Sequence, residues 1–192
     1  LFSDLLDIDI VREKRISIIN SFDDQLYPAL VNTEIIQSTN RCTLKQKKIK
    51  TISIKKVQKK DFLTLIKTLN YFEKIGFVHG DLNKKNIINT EDGFRIIDYE
   101  PSILQISNGL KQYMVTKPYI SKLDLLENSI TIRTDKIGFF YFVLRVYKLI
   151  NFKDLVALSK TFNHKKWLKL NENQLKYTSY SDLLDLALDK LK

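Results

Sequence analysis

Cysteine is almost missing: Cys42 is the only one in 192 residues. One cysteine excludes an intramolecular disulfide and a cysteine-cluster metal site, and it suits a reducing compartment. Histidine is scarce as well. His79 and His164 leave little for a zinc centre. The five glycines stand at 76, 80, 93, 109 and 138, so residues 1–75 hold no glycine-rich phosphate loop. No long apolar run occurs. The most apolar stretch, 138–150, is too short to span a bilayer and is broken by Arg145 and Lys148. Residues 1–10 carry Asp4, Asp7 and Asp9, where a secretory signal needs positive charge followed by an apolar run. Acid is in deficit: 22 Asp and Glu face 32 Lys and Arg, a formal net charge of +10. That excess points to an anionic partner, whether nucleotide, phosphorylated glycan, nucleic acid or membrane surface.

What is present is enough for a folded domain. The chain is 44% hydrophobic, which excludes wholesale disorder, and its length supports a core without staples. Residues 1–20 read as a charged helix with a partial apolar stripe of Ile10, Val11, Ile18 and Ile19. Residues 33–38 and 50–57 are β-branched and read as strands, with Ser38-Thr39-Asn40 as a turn. Residues 45–60 carry eight lysines and no acid. Such a run either guards a solvated strand edge or meets an anionic substrate or lipid headgroups.

Asp61 suits the N-cap of a helix whose apolar positions are Phe62, Leu65, Ile66, Leu69 and Phe72, with Gly76 as its stop. Residues 102–128 read as mostly irregular. Asp135 opens an aromatic helix through Phe139, Phe142, Val143, Val146 and Ile150. The tail ends in an amphipathic helix near 181–192, with Leu183, Leu184, Ala187, Leu188 and Leu191 inward. Cys42 reads as a small semi-buried side chain, His164 as a solvated loop residue, and Trp167 as core or interface.

The chemistry concentrates in Val78-His79-Gly80-Asp81-Leu82-Asn83-Lys84-Lys85-Asn86-Ile87-Ile88 and in Phe94-Arg95-Ile96-Ile97-Asp98-Tyr99-Glu100. A polar loop lies between apolar anchors, and 89–93 is a hairpin turn with Gly93 suited to positive φ. The hairpin brings Asn86, before its first strand, near Asp98, after its second. An amide oxygen and a carboxylate at one hairpin end suit Mg²⁺, which needs few protein oxygens when phosphates supply the rest. Asp81, five residues before Asn86, can face the same phosphate.

This pattern resembles the catalytic core of the protein-kinase-like phosphotransferases. His79-x-Asp81-x-x-x-x-Asn86 matches the catalytic loop, and Asp98 matches the metal-binding aspartate. The resemblance implies that Asp81 accepts or orients the acceptor hydroxyl, that Asn86 and Asp98 hold Mg²⁺ on ATP, and that His79 braces the loop. It further implies that Lys84 sits near the γ-phosphate and that Glu13 pairs with a nucleotide-binding lysine. Thr116-Lys117-Pro118-Tyr119-Ile120 resembles the close of an activation segment, and Asp135 the buried aspartate bracing the catalytic loop. His-Gly-Asp in place of His-Arg-Asp, and Ile97-Asp98-Tyr99-Glu100 in place of Asp-Phe-Gly, look like the lipopolysaccharide core and Kdo kinases, with aminoglycoside and choline kinases beside them. Atypical protein kinases also use His-Gly-Asp.

The expected fold is therefore α+β, a two-lobe protein-kinase-like arrangement. Residues 1–60 would form part of the N-lobe and 61–192 a mainly helical C-lobe. The non-Met start, Leu1, leads us to expect a processed chain or a fragment whose glycine loop and lysine lie upstream. The expected activity is transfer of the γ-phosphoryl group of ATP to a hydroxyl on a lipopolysaccharide-type sugar. A non-catalytic kinase-like module and a Ser/Thr protein kinase are the alternatives. The expected partner is an anionic glycolipid or sugar, with peripheral membrane contact through Lys45–Lys60 and a cytoplasmic setting at the inner membrane face. Nucleic acid is disfavoured, because no recognition motif accompanies the lysines.

Overall fold

The computed structural model describes residues 17, 18, 20, 21, 33–38, 41–46, 49–52, 57–91, 93–98, 103–105, 111–113, 117–127 and 129–191. Glu13 and most of the helix expected over 1–20 lie outside them. The described part is α+β: a hairpin, a helix, two further antiparallel hairpins and then a mostly helical region. β1 (Thr33–Ser38) pairs with β2 (Arg41–Gln46), from Thr33 opposite Gln46 to Ser38 opposite Arg41. The expected first strand is there. Its partner is not 50–57 but 41–46, because the turn after Ser38 returns the chain at once and the nearest segment pairs. The side chain of Cys42 lies outside the described residues, as do 47, 48 and 53–56. Ile52 instead donates its N–H to Asn89 O at 3.0 Å, laying the following segment along the second hairpin.

α1 (Leu63–Lys74) buries Phe62, Leu65, Ile66, Leu69 and Phe72 on one face. Asp61 is not its N-cap. It lies in a 3₁₀ turn, Lys59–Phe62, where its Oδ2 accepts the Gln58 N–H at 2.7 Å. An orphan amide is thus satisfied one turn earlier than expected. At the other end Gly76 takes φ +69°. Phe77 N–H donates to Phe72 O at 2.9 Å, Gly76 N–H donates to Glu73 O at 3.2 Å, and the Phe72 and Phe77 rings meet at 4.6 Å. This is a Schellman ending with its hydrophobic contact. It turns the chain sharply into the polar loop.

β3 (Ile87–Thr90) and β4 (Gly93–Ile96) form the second hairpin, with Thr90 opposite Gly93. Among the described residues of 102–128 there is more regular structure than their composition suggests. They contain the β5 (Ile103–Gln105) and β6 (Lys111–Tyr113) hairpin, a 3₁₀ turn at Lys117–Tyr119, and α2 (Lys122–Leu126). Asp124 organises the corner after α2. Its carboxylate accepts from Thr131 N–H, Thr131 Oγ1, Thr134 Oγ1 and, at 2.7 Å, Arg133 Nε. Burial pulls the Arg133 guanidinium down, but its bonds to Asp124 and Glu127 outweigh that and hold it above its ordinary range. No aspartate pattern in the sequence pointed to this corner.

α3 (Ile132–Val146) is the central element, with every side chain from Arg133 to Leu144 buried. A helix apolar nearly all round belongs in a core rather than on a surface. It packs on α7 (Tyr180–Leu188) and on the aromatic cluster of the hairpin. Phe94 sits 4.8 Å from Phe62 and 5.1 Å, edge-on, from Phe142. Lys136, buried, donates to Glu73 Oε1 at 2.7 Å and to Lys176 O at 3.2 Å, tying α3 to α1 and to the segment before α7. Thr131, not Asp135, is the N-cap of α3.

α4 (Phe152–Thr161), α5 (Lys165–Leu168) and α6 (Glu172–Leu175) complete the helical region. His164 is not solvated: it is 1% exposed. Phe162 closes α4 with φ +48°, and the chain turns His164 inward despite its polar neighbours. Burial pushes the Tyr141 phenol up, so its hydroxyl stays a donor to His164 Nδ1 at 3.2 Å. His164 Nε2–H then donates to Ile120 O at 2.8 Å. Trp167 packs partly buried against the core. Leu191 is half-exposed rather than inward, because α7 gives way to a 3₁₀ turn at Asp189–Leu191.

Two expected outcomes follow from this packing. A Cβ at Gly138 would run into the Leu82 backbone carbonyl and lie 3.0 Å from Leu82 Cβ. Gly138→Ala should therefore cost about 1–3 kcal/mol in denaturant unfolding, the range for overpacking. Second, burial holds the His164 imidazole below its ordinary 6.5. Between the folded and unfolded values the unfolded chain binds more protons, so stability falls as pH drops through 6.5 and is complete above it. The thermal midpoint of wild type should fall more between pH 7.5 and 5.5 than that of His164→Gln. Equal falls would remove His164 as the cause.

Candidate active site

The loop at 79–86 is shaped from below by α3. Asp135 Oδ2 accepts the His79 N–H at 2.7 Å and its Oδ1 accepts the Gly80 N–H at 2.7 Å. One buried carboxylate thus holds two consecutive amides, and such charge-assisted bonds are the strong kind. Gly80 takes φ +84°, which lets both amides face the same way, and a Cβ there would press on Ile130. The His79 ring spans the loop. Its Nδ1 accepts from Asp81 N–H at 3.3 Å, so Nε2 carries the proton and donates to Ile97 O at 3.2 Å. His79 therefore fastens the loop to the residue just before Asp98.

Asp81 is held at three points. Asn83 Nδ2 donates to its Oδ1 at 2.8 Å. Asn86 Nδ2 donates to its Oδ2 at 2.8 Å and to its main-chain oxygen at 2.9 Å. A carboxylate has about four lone-pair sites. Two are taken by these amides, and lone pairs on both oxygens remain for an incoming hydroxyl. Asn86 O accepts the Ile97 N–H at 2.9 Å, extending the β3–β4 ladder by one pair. Asp98 follows directly, exposed, with its backbone at φ +61°. Aspartate is among the few side chains that tolerate this left-handed region.

Asn86 and Asp98 therefore stand at the same hairpin end, as their spacing suggests. With Nδ2 of Asn86 committed to Asp81, its amide oxygen is the acceptor left for a cation. One amide oxygen and one carboxylate suit a hard ion such as Mg²⁺, which completes its shell with water and phosphate oxygens. Among the described residues no three His, Cys, Asp or Glu side chains gather into a metal-binding group.

The Lys84 side chain is exposed, and the residue that reaches Asp81 is Asn83. The reason is an Asx turn: Asn83 Oδ1 accepts the Lys85 N–H at 2.7 Å, which points Asn83 inward and Lys84 outward. An Asn two residues ahead of a main-chain amide, in a polar loop, was the available signal. Of the expected site residues, Glu13 lies outside the described ones, and so do Thr116, Tyr99 and Glu100.

The braced loop, the hairpin that follows it and Asp98 at the hairpin end are arranged as in a protein-kinase-like fold. The family described as RIO1: RIO domain, itself protein-kinase-like, matches residues 29–114, a span that contains Asp81, Asn83, Asn86 and Asp98. No curated protein matches the chain. The match supports the kinase-like superfamily and kinase activity in general. It lends nothing to the likeness to lipopolysaccharide core and Kdo kinases.

The brace from α3 is open to test. Asp135→Asn keeps one acceptor and turns an N–H₂ toward a backbone N–H. It should cost roughly 2–3 kcal/mol, as for a hydrogen bond lost from a charged group, and speed hydrogen exchange at the His79 and Gly80 amides. Unchanged exchange at both would show that the carboxylate is not their acceptor in solution.

Proposed function

We propose that this chain is an atypical protein-kinase-like phosphotransferase that moves the γ-phosphoryl group of ATP to a Ser or Thr hydroxyl. One observation carries the reading: a partly exposed carboxylate, Asp81, held at both oxygens beside an amide–carboxylate pair suited to Mg²⁺. The RIO-domain match favours a protein acceptor over the sugar acceptor expected from sequence. In this scheme the acceptor oxygen attacks the γ-phosphorus, the bond to the β,γ-bridging oxygen breaks, and ADP leaves. Asp81 aligns the hydroxyl and takes up its proton as the bond to phosphorus forms. Asn86 and Asp98 hold the metal-bound nucleotide, and Mg²⁺ supplies charge neutralisation on the phosphates.

Positioning accounts for most of the expected rate, since such transfer leaves the protein little covalent work. The exposed Lys50 and Lys59 pair with Glu91 and Asp185, so part of the lysine run is already neutralised within the chain. The rest of that run is read as a surface toward an anionic partner.

Asp81→Asn should lower phosphoryl transfer to a protein acceptor by at least about 100-fold, within the range for a positioned acid–base group, with the chain still folded at the assay temperature although one amide donor loses its acceptor. Labelled phosphate should appear on Ser or Thr, and chelation of Mg²⁺ should abolish it. Transfer by Asp81→Asn at the wild-type rate would overturn the assignment. Label appearing only on a sugar acceptor would restore the alcohol-kinase reading.

A further inference from the structure

We propose that Asn83 is a positioning residue for phosphoryl transfer, holding the Asp81 carboxylate from the side opposite Asn86; this rests on the phosphotransferase reading above. Asn83 is 6% exposed, yet every polar atom of its side chain is used within the loop. Nδ2 donates to Asp81 Oδ1 at 2.8 Å and more weakly to Asp81 O at 3.3 Å. Oδ1 accepts the Lys85 N–H at 2.7 Å. Its main-chain oxygen accepts from both Asn86 N–H and Ile87 N–H at 3.0 Å. Asn83 thus does two separable things. Its oxygen atoms shape the turn that delivers Asn86, and its Nδ2 grips Asp81.

The grip matters because a carboxylate held at one oxygen still rotates about its Cβ–Cγ bond. Asn86 fixes Oδ2, and Asn83 fixes Oδ1, so the plane of the carboxylate is set. The remaining lone pairs then point in one direction before any acceptor arrives. Pre-orientation of this kind lowers the barrier without tightening nucleotide binding. The donor is also a neutral amide. It orders Asp81 without placing a cation between that carboxylate and the phosphate, whereas Lys84 next to it faces solvent.

Asn83→Asp separates the two roles. The new carboxylate is isosteric and can still accept the Lys85 N–H, but it offers Asp81 a like charge in place of a donor. On the full chain, with Mg²⁺, ATP and a protein acceptor, kcat should fall at least about tenfold. KM for ATP should stay within about twofold, and the chain, though destabilised by the like charge, should remain folded at the assay temperature, a split that loss of fold would not produce. Should Asn83→Asp fail to fold, Asn83→Ser reads the same split: its hydroxyl can keep the turn and is too short to grip Asp81. A full-rate variant overturns the proposal, and so does a kcat that falls only in step with the thermal midpoint. Inactive Asp81→Asn beside fully active Asn83→Asp removes the role of Asn83 alone. Wild type that transfers no phosphate removes the phosphotransferase reading and this inference together.

Discussion

The Asp135 carboxylate accepts two consecutive backbone amides across more than fifty residues of sequence, and the geometry of the candidate site depends on that one acceptance. A charge placed in a core carries a large desolvation cost, which only dense hydrogen bonding offsets. Asp135 meets the condition by taking the His79 and Gly80 amides, which would otherwise be buried or strained themselves. With those two amides fixed, Asp81 has one place to go. The ring of His79 then reaches Ile97, and through it the loop and the hairpin end become a single unit. The surrounding helices serve this arrangement. α3 brings the aspartate, Gly138 lets α3 approach Leu82, and Lys136 locks α3 against α1 through Glu73.

Much of the site was legible because its members are close along the chain. His79, Asp81, Asn86 and Asp98 fall within twenty residues, and a hairpin with Gly93 at its turn converts that spacing into proximity. The helix over 63–74, its glycine stop and the aromatic core helix were legible for the same reason: their periodicity is local. What was not legible depends on partners far away or on a single turn. His164 looks solvated beside Asn163, Lys165 and Lys166, but its partners are Tyr141 and Ile120, on other elements. The corner built on Asp124 and Arg133 gave no pattern at all. That Asn83 reaches Asp81 depends on an Asx turn, a single local bond that the kinase resemblance does not carry.

The chemistry of the loop rests on amides rather than cations. Two asparagines hold the Asp81 carboxylate, and the lysines nearest to it in sequence, Lys84 and Lys85, are exposed. Ordering is thus done by short neutral groups with few rotatable bonds, which lose little entropy when fixed. In the proposed phosphoryl transfer, charge would be left to the nucleotide and its metal, and alignment would contribute more than proton transfer.

The left-handed backbone at Asp98 has a consequence for how this position can vary. Its conformation and its charge impose different filters. Asparagine and glycine satisfy the turn and lose the charge. Glutamate keeps the charge, but its longer side chain lacks the local bonding that eases aspartate into this region, at a cost of roughly 1–2 kcal/mol. Aspartate is the one residue that passes both filters. Drift at position 98 is therefore screened by folding before any other demand acts on it, and a chain could lose this carboxylate while retaining the hairpin that once presented it.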